Sequence, residues 1–160
     1  MKLAVVAVGR LKAGPERDLV ERYRSRIDAL GRSVGLWPLE LIEIPESRAR
    51  RDADRRAEEA RQILERTGPA LTVAFDERGR MATTQGFSKT LERWRDEGRS
   101  AAALLIGGAD GLDPSLRDRA DLIVSFGAMT LPHQLVRVLV VEQIYRCLTI
   151  LSGHPYHRDG

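Results

Sequence analysis

Only one cysteine, Cys147, occurs in the 160 residues, which excludes an internal disulfide and any cysteine-built zinc centre. It lies within an apolar stretch and reads as a small core hydrophobe rather than a nucleophile. A reducing cytoplasm fits that usage. Histidines are few as well, three in all. His154 and His157 stand three apart in the tail, but no cysteine or third ligand accompanies them, so no metal is expected. Long apolar runs are also lacking. The opening "KLAVVAVG" is bounded by Gly9, too short for a signal segment and far short of the ~20 residues that span a bilayer. The expectation is a soluble, unexported protein with no membrane contact. Internal repeats, low-complexity tracts and linkers are absent too, and the length suits one domain, residues 1–160.

Lysine is the last scarcity. Of 26 Lys plus Arg only Lys2, Lys12 and Lys89 are lysines, leaving 23 arginines, with a formal charge of +3 and a pI near 9.4. Arginine forks suit phosphate and base edges. The plainer reading is compositional bias, with "RARRDADRRAEEAR" a solvated helix face of interleaved acids.

Apolar runs of strand length alternate with amphipathic stretches. "KLAVVAVG", then "PERDLVERYRSRIDAL" with Leu19, Tyr23, Ile27 and Leu30 on one face, then "LELIEIP", read as a β-α-β opening. A charged helix over 48–66 precedes the strand "ALTVAFD" and a turn at "ERGR"; the next helix carries Phe87, Leu91 and Trp94. "AAALLIGGADG", a short segment at "PSLRDRA", the strand "DLIVSFG" and a long apolar helix complete the chain. Five strands with intervening helices predict an α/β fold, a mostly parallel sheet flanked by helices on both faces.

The first turn, "VGRLKAGPE", lacks the G-x-G-x-x-G of a Rossmann dinucleotide site. The glycine-rich turns follow the late strands instead, "LLIGGADG" and "IVSFGAMTLP", at carboxyl ends where open α/β sheets bind ligands. Such glycines serve close ligand approach or merely a positive φ. The final helix is apolar around most of its circumference yet holds His133, Arg137, Glu142 and Arg146. Glu142 and Arg146, spaced i, i+4, can pair, while His133 and Arg137 share another polar strip that can face a ligand cleft. The alternative is an intrahelical network without chemistry.

"LLIGGADGL", "SFGAMTLPHQLVRVLVVEQIYR" and the terminal "HPYHR" together resemble the RlmH family of SPOUT methyltransferases, and the opening strands agree. The resemblance runs the length of the chain. It implies a C-terminal trefoil knot, a cytoplasmic homodimer, and S-adenosylmethionine as donor for methylation of N3 of a pseudouridine in a stem-loop (helix 69) of 23S ribosomal RNA, within the assembled ribosome. Carried over, it implies a cofactor pocket of Phe75, Gly107, Phe126, Gly127, Ala128, Met129, Thr130 and Leu131, substrate contacts from Tyr156 and Arg158, and catalytic roles for Arg137 and His157. Gly127 stands where many relatives have a second serine. Two other readings remain open: a noncatalytic RNA-binding module, which gives no reason for two ligand-type glycine loops, and a doubly wound nucleotide-binding enzyme, which the first turn disfavours. The tail after Gly153 and Pro155 is expected to be an extended arm contributing little to the core.

Overall fold

In the computed structural model, which describes residues 1–157, the first strand β1 (Lys2–Val8) is followed by helix α1 (Pro15–Gly31) and strand β2 (Leu39–Ile44). Helix α2 (Asp52–Thr67), strand β3 (Leu71–Met81), helix α3 (Thr84–Asp96) and strand β4 (Ala101–Ile106) come next, and helix α4 (Pro114–Arg119), strand β5 (Leu122–Ser125) and helix α5 (His133–Leu151) close the chain. The sheet runs β2-β1-β4-β3-β5, every pairing parallel. β1 and β4 are continuous apolar runs buried along nearly their whole length, as strands covered on both faces must be.

Alternation of side chains across the pleat splits the core in two. Leu3, Val5, Ala7, Val73, Phe75, Leu104 and Ile106 meet α1, α3 and α5 on one face. Val6, Val8, Ala74, Ala103 and Leu105 meet Ala60, Ile63 and Leu116 of α2 and α4 on the other. The Phe87, Leu91 and Trp94 stripe of α3 is buried as its spacing requires. Thr83 caps that helix by accepting the N–H of Gly86, and Asp113 caps α4 by accepting the N–H of Ser115.

Two sequence expectations are corrected. α2 begins at Asp52 rather than at 48. The "ERGR" segment is not a turn: after a register break beyond Phe75, Arg80 and Met81 pair with Val124 and Ser125, so β3 wraps the end of β5. Gly79 lies so close that an added Cβ would stand 2.7 Å from the carbonyl carbon of Val124. Its glycine serves backbone approach, which composition alone cannot distinguish from turn chemistry.

Candidate functional site

The carboxyl ends of β3, β4 and β5 open into a cleft of about 590 Å³, lined among others by Phe75, Gly107, Phe126, Met129, Leu131 and His133. That volume is in the usual range of small-ligand pockets. Both glycine-rich turns line it. Phe75 and Phe126 stack across it, ring centroids 5.3 Å apart and planes 13° apart, while Phe87 supports Phe75 edge-on at 6.3 Å. Such a platform offers an apolar face to a flat ring.

The β5 loop is held by one hydroxyl. Ser125 Oγ donates to the carbonyl of Gly127 and accepts that residue's N–H, both at 3.0 Å. Gly127 has φ +129°, which a serine side chain at the same position would adopt only with strain. Ala128, Thr130 and Leu131 continue this loop, and Met129 is 85% exposed. The β4 loop is shaped from inside: a Cβ on Gly107 would lie 2.5 Å from the carbonyl carbon of Gly111 and 2.6 Å from the nitrogen of Leu112. Of the two readings the sequence left open for this glycine, positive φ does not apply, and its own loop already requires the absence of a side chain. Arg117 braces the floor, donating to Asp76 at 3.1 Å and to the carbonyl of Leu112 at 2.9 Å. Arg55 grips Asp110 through two bonds of 2.6 and 3.0 Å, and that guanidinium holds the Asp110 carboxyl below its ordinary value. Burial pushes the neighbouring Glu59 carboxyl up, although it accepts the N–H of Ser47.

The family model described as "Predicted SPOUT methyltransferase" matches residues 1–157. The chain belongs to the SPOUT methyltransferase family. A protein of Methylobacterium sp. (strain 4-46) named Ribosomal RNA large subunit methyltransferase H is 59% identical over 162 residues, covering 100% of this chain and 99% of the relative. One of the same name from Bradyrhizobium sp. (strain BTAi1 / ATCC BAA-1182) is 57% identical over 159 residues, covering 99% of each. Among solved structures, a probable methyltransferase from Bordetella pertussis Tohama I aligns with a TM-score of 0.53 at 13% identity, covering 91% of this chain and 95% of that one, which shows the shared fold.

In this SPOUT chain the charged residues of α5 divide. His133 lines the cleft. Arg137 does not: its side chain is buried, donating to the carbonyls of Val8 and Gly9 and to Glu43, and burial lowers its pKa. The sequence placed both on one polar strip, but four residues on a helix turn the side chain through about 400° and one turn along the axis, enough here to reach β1 instead of the cleft. Glu142 and Arg146 pair as their spacing implies, at 2.5 and 2.9 Å.

The tail is not a free arm. Tyr156 docks against α5 and α1: its hydroxyl lies 3.2 Å from Glu142 and 3.4 Å from the hydroxyl of Tyr23. Its ring centroid lies 4.8 Å from that of Tyr145, and the Arg146 guanidinium covers it at 4.9 Å. Burial among these groups pushes the phenol's pKa up. His157 follows it, half-buried. Arg158 lies outside the described residues. The Tyr23 partner was beyond sequence reasoning, because 133 residues separate it from Tyr156. Among the described residues no helix is long and apolar enough to cross a membrane.

Proposed function

We propose that this SPOUT methyltransferase transfers the methyl group of S-adenosylmethionine to N3 of a pseudouridine in helix 69 of 23S ribosomal RNA, within the assembled ribosome, as a homodimer in the cytoplasm. The carrying observation is the cleft between two glycine-rich loops at the strand ends, in a chain 59% identical along its length to a protein named for large-subunit ribosomal RNA methylation. The residues present fit the donor. Gly107 keeps the β4 loop folded back on itself, the Phe75 and Phe126 platform accepts an adenine face, and Met129 and Leu131 supply an apolar wall. Gly127, Ala128 and Thr130 complete the contact through the loop backbone. Bound there, the donor supplies an electrophilic methyl on a sulfonium, open to in-line displacement, so the protein's work is chiefly alignment.

The remaining roles follow from distance. α5 is 19 residues long, and the tail folds back along it so that Tyr156 meets Glu142 and Tyr145, nine residues or about 14 Å at 1.5 Å per residue from His133 of the cleft. That gap is too wide for direct contact with an acceptor in the same copy's cleft, and a second copy packed on α5 supplies the tail in its place. Met129, Leu131 and Leu135 form exposed apolar surface at the start of α5, which a dimer would cover. In that composite site His157 takes the N3 proton and Arg158 steadies the developing anion, while Tyr156, held between Tyr145 and Arg146, anchors the tail beside the acceptor base. Arg137 acts as a positioning residue, fixing the end of β1 against α5. We also propose that the chain is knotted, a path supported by the wrapping of β3 around β5.

The test is transfer of labelled methyl from S-adenosylmethionine to ribosomes from a strain lacking the enzyme, with mass spectrometry of the modified nucleotide. Methylated pseudouridine in 23S RNA is expected, and sedimentation at twice 17.9 kDa. Failure to label 23S RNA overturns the reading.

A further inference from the structure

Among the described residues, six cations at the carboxyl edge of the sheet have no partner. Arg10 and Lys12 sit on the loop after β1, Arg48 and Arg50 on the loop after β2, and Arg78 and Arg80 on the extension of β3; all six are exposed. Among the described residues none of their side chains makes a hydrogen bond, ion pair or ring contact; Arg22, Arg66 and Arg119 are also exposed and unpaired but stand singly on three separate helices, whereas many other arginines are tied down. At the opposite edge Arg93 and Arg99 pair with Glu97, and Arg95 pairs with Glu92 and Asp96. Along the helices Arg24 pairs with Glu21 and Arg56 with Asp52. Three of the acids near the cleft are already neutralised, while Glu46 and Glu77 remain as single exposed carboxylates among the six cations. Asp110 is bound by Arg55, Asp76 by Arg117 and Glu43 by Arg137.

The positions have a geometric logic. The sheet order β2-β1-β4-β3 sets the basic loops of β2 and β1 on one side of the glycine loop of β4 and the β3 extension on the other. At about 4.8 Å per strand the edge from β2 to β3 spans about 14 Å, the reach of a few successive phosphates of one strand. Arg78 itself lines the cleft. Arginine, five of the six, binds phosphate through its planar fork without reading sequence.

We propose that these three loops form a phosphate-binding rim that holds the RNA backbone on both sides of the methyl-transfer cleft, with the acceptor nucleotide lowered between them. This deepens the proposed function and rests on it. The rim supplies affinity and register, while selection of the base is left to the cleft and the tail. Free arginines at an edge that also carries the ligand-type loops are what a polyanion needs; pairing them internally would forfeit the counterion release that drives such binding.

Three double variants test this: Arg10→Gln with Lys12→Gln, Arg48→Gln with Arg50→Gln, and Arg78→Gln with Arg80→Gln. Arg93→Gln with Arg99→Gln at the opposite edge is the control. The probe is a synthetic RNA stem-loop of the helix 69 sequence, titrated at several salt concentrations, with adenosylhomocysteine calorimetry alongside. Each rim pair is expected to flatten the plot of log affinity against log salt by about 1 to 2 units, and to raise KM for ribosomes more than it lowers kcat. The control should match the parent, and cofactor affinity should hold in the control and in the variants of the β1 and β2 loops; the Arg78 and Arg80 variant touches the cleft itself and is read by its salt slope. Parent-like salt slopes in the rim variants, with the parent still methylating ribosomes, overturn the rim and leave the proposed function standing. An equal loss in the control overturns it too, since general charge would then suffice. A parent that neither binds the stem-loop nor labels ribosomes defeats both readings.

Discussion

Arg137 of α5 donates to the carbonyl oxygens of Val8 and Gly9 at 2.5 and 2.6 Å, fastening the helix to the end of β1. Arg137→Met leaves these buried acceptors unmade, at about 1–3 kcal/mol, and takes the cation from the Glu43 carboxylate, which still accepts the N–H of Leu11. The denaturant midpoint should fall together with methyl transfer. An inactive variant of parental stability would instead place Arg137 on the substrate.

The β4 loop separates packing from strain. Gly107→Ala forces a Cβ against the backbone of Gly111 and Leu112, so adenosylhomocysteine affinity should drop at least about tenfold as the loop shifts, a disturbance of the 1–3 kcal/mol order. At Gly111 an added Cβ meets nothing, but φ is +79°, so Gly111→Ala should cost about 1–2 kcal/mol of stability with a smaller effect on binding. Calorimetry and urea unfolding on both variants check the pair. Parental affinity in Gly107→Ala would remove that loop from the cofactor site.

Cys147 is completely buried, and burial pushes its thiol up to about 12 from 9.0. It should resist alkylation in the native protein at pH 8 and react only on unfolding. Because the folded state keeps the proton while the unfolded chain loses it, stability should decline by about 1.4 kcal/mol per pH unit from pH 9 until the folded thiol itself titrates near 12. Cys147→Ala should lack this part of the alkaline slope. Unfolding curves between pH 8 and 11 decide it.

Docking of the tail makes it part of the fold. Tyr156→Phe removes one hydroxyl between Glu142 and Tyr23 and should cost about 0.5–1.5 kcal/mol. Deletion of 154–160 also removes the ring from Tyr145, worth about 0.5–1.5 kcal/mol more. Thermal unfolding measures both. Methyl transfer by the deletion variant should fall by orders of magnitude, with cofactor affinity nearly kept. Full transfer would exclude the tail from the composite site.

Local physics made the strands, the helices and the glycine loops legible in the sequence, because apolar periods and turn residues act over a few positions. "KLAVVAVG" and "AAALLIGG" read as buried strands since both faces had to be apolar, and the parallel sheet followed from their alternation with helices. The i, i+4 pairing of Glu142 with Arg146 was equally local. Three features required the tertiary structure. Arg137 turned toward β1 rather than the cleft, Gly79 was reserved for the backbone of β5, and Tyr156 found Tyr23 across 133 residues of chain. Each is a contact between segments whose proximity is set by how layers stack, and a buried donor bonds whatever acceptor that stacking brings within 3 Å or so. The sequence determined which elements form; the close approach of distant backbones determined what their polar side chains do.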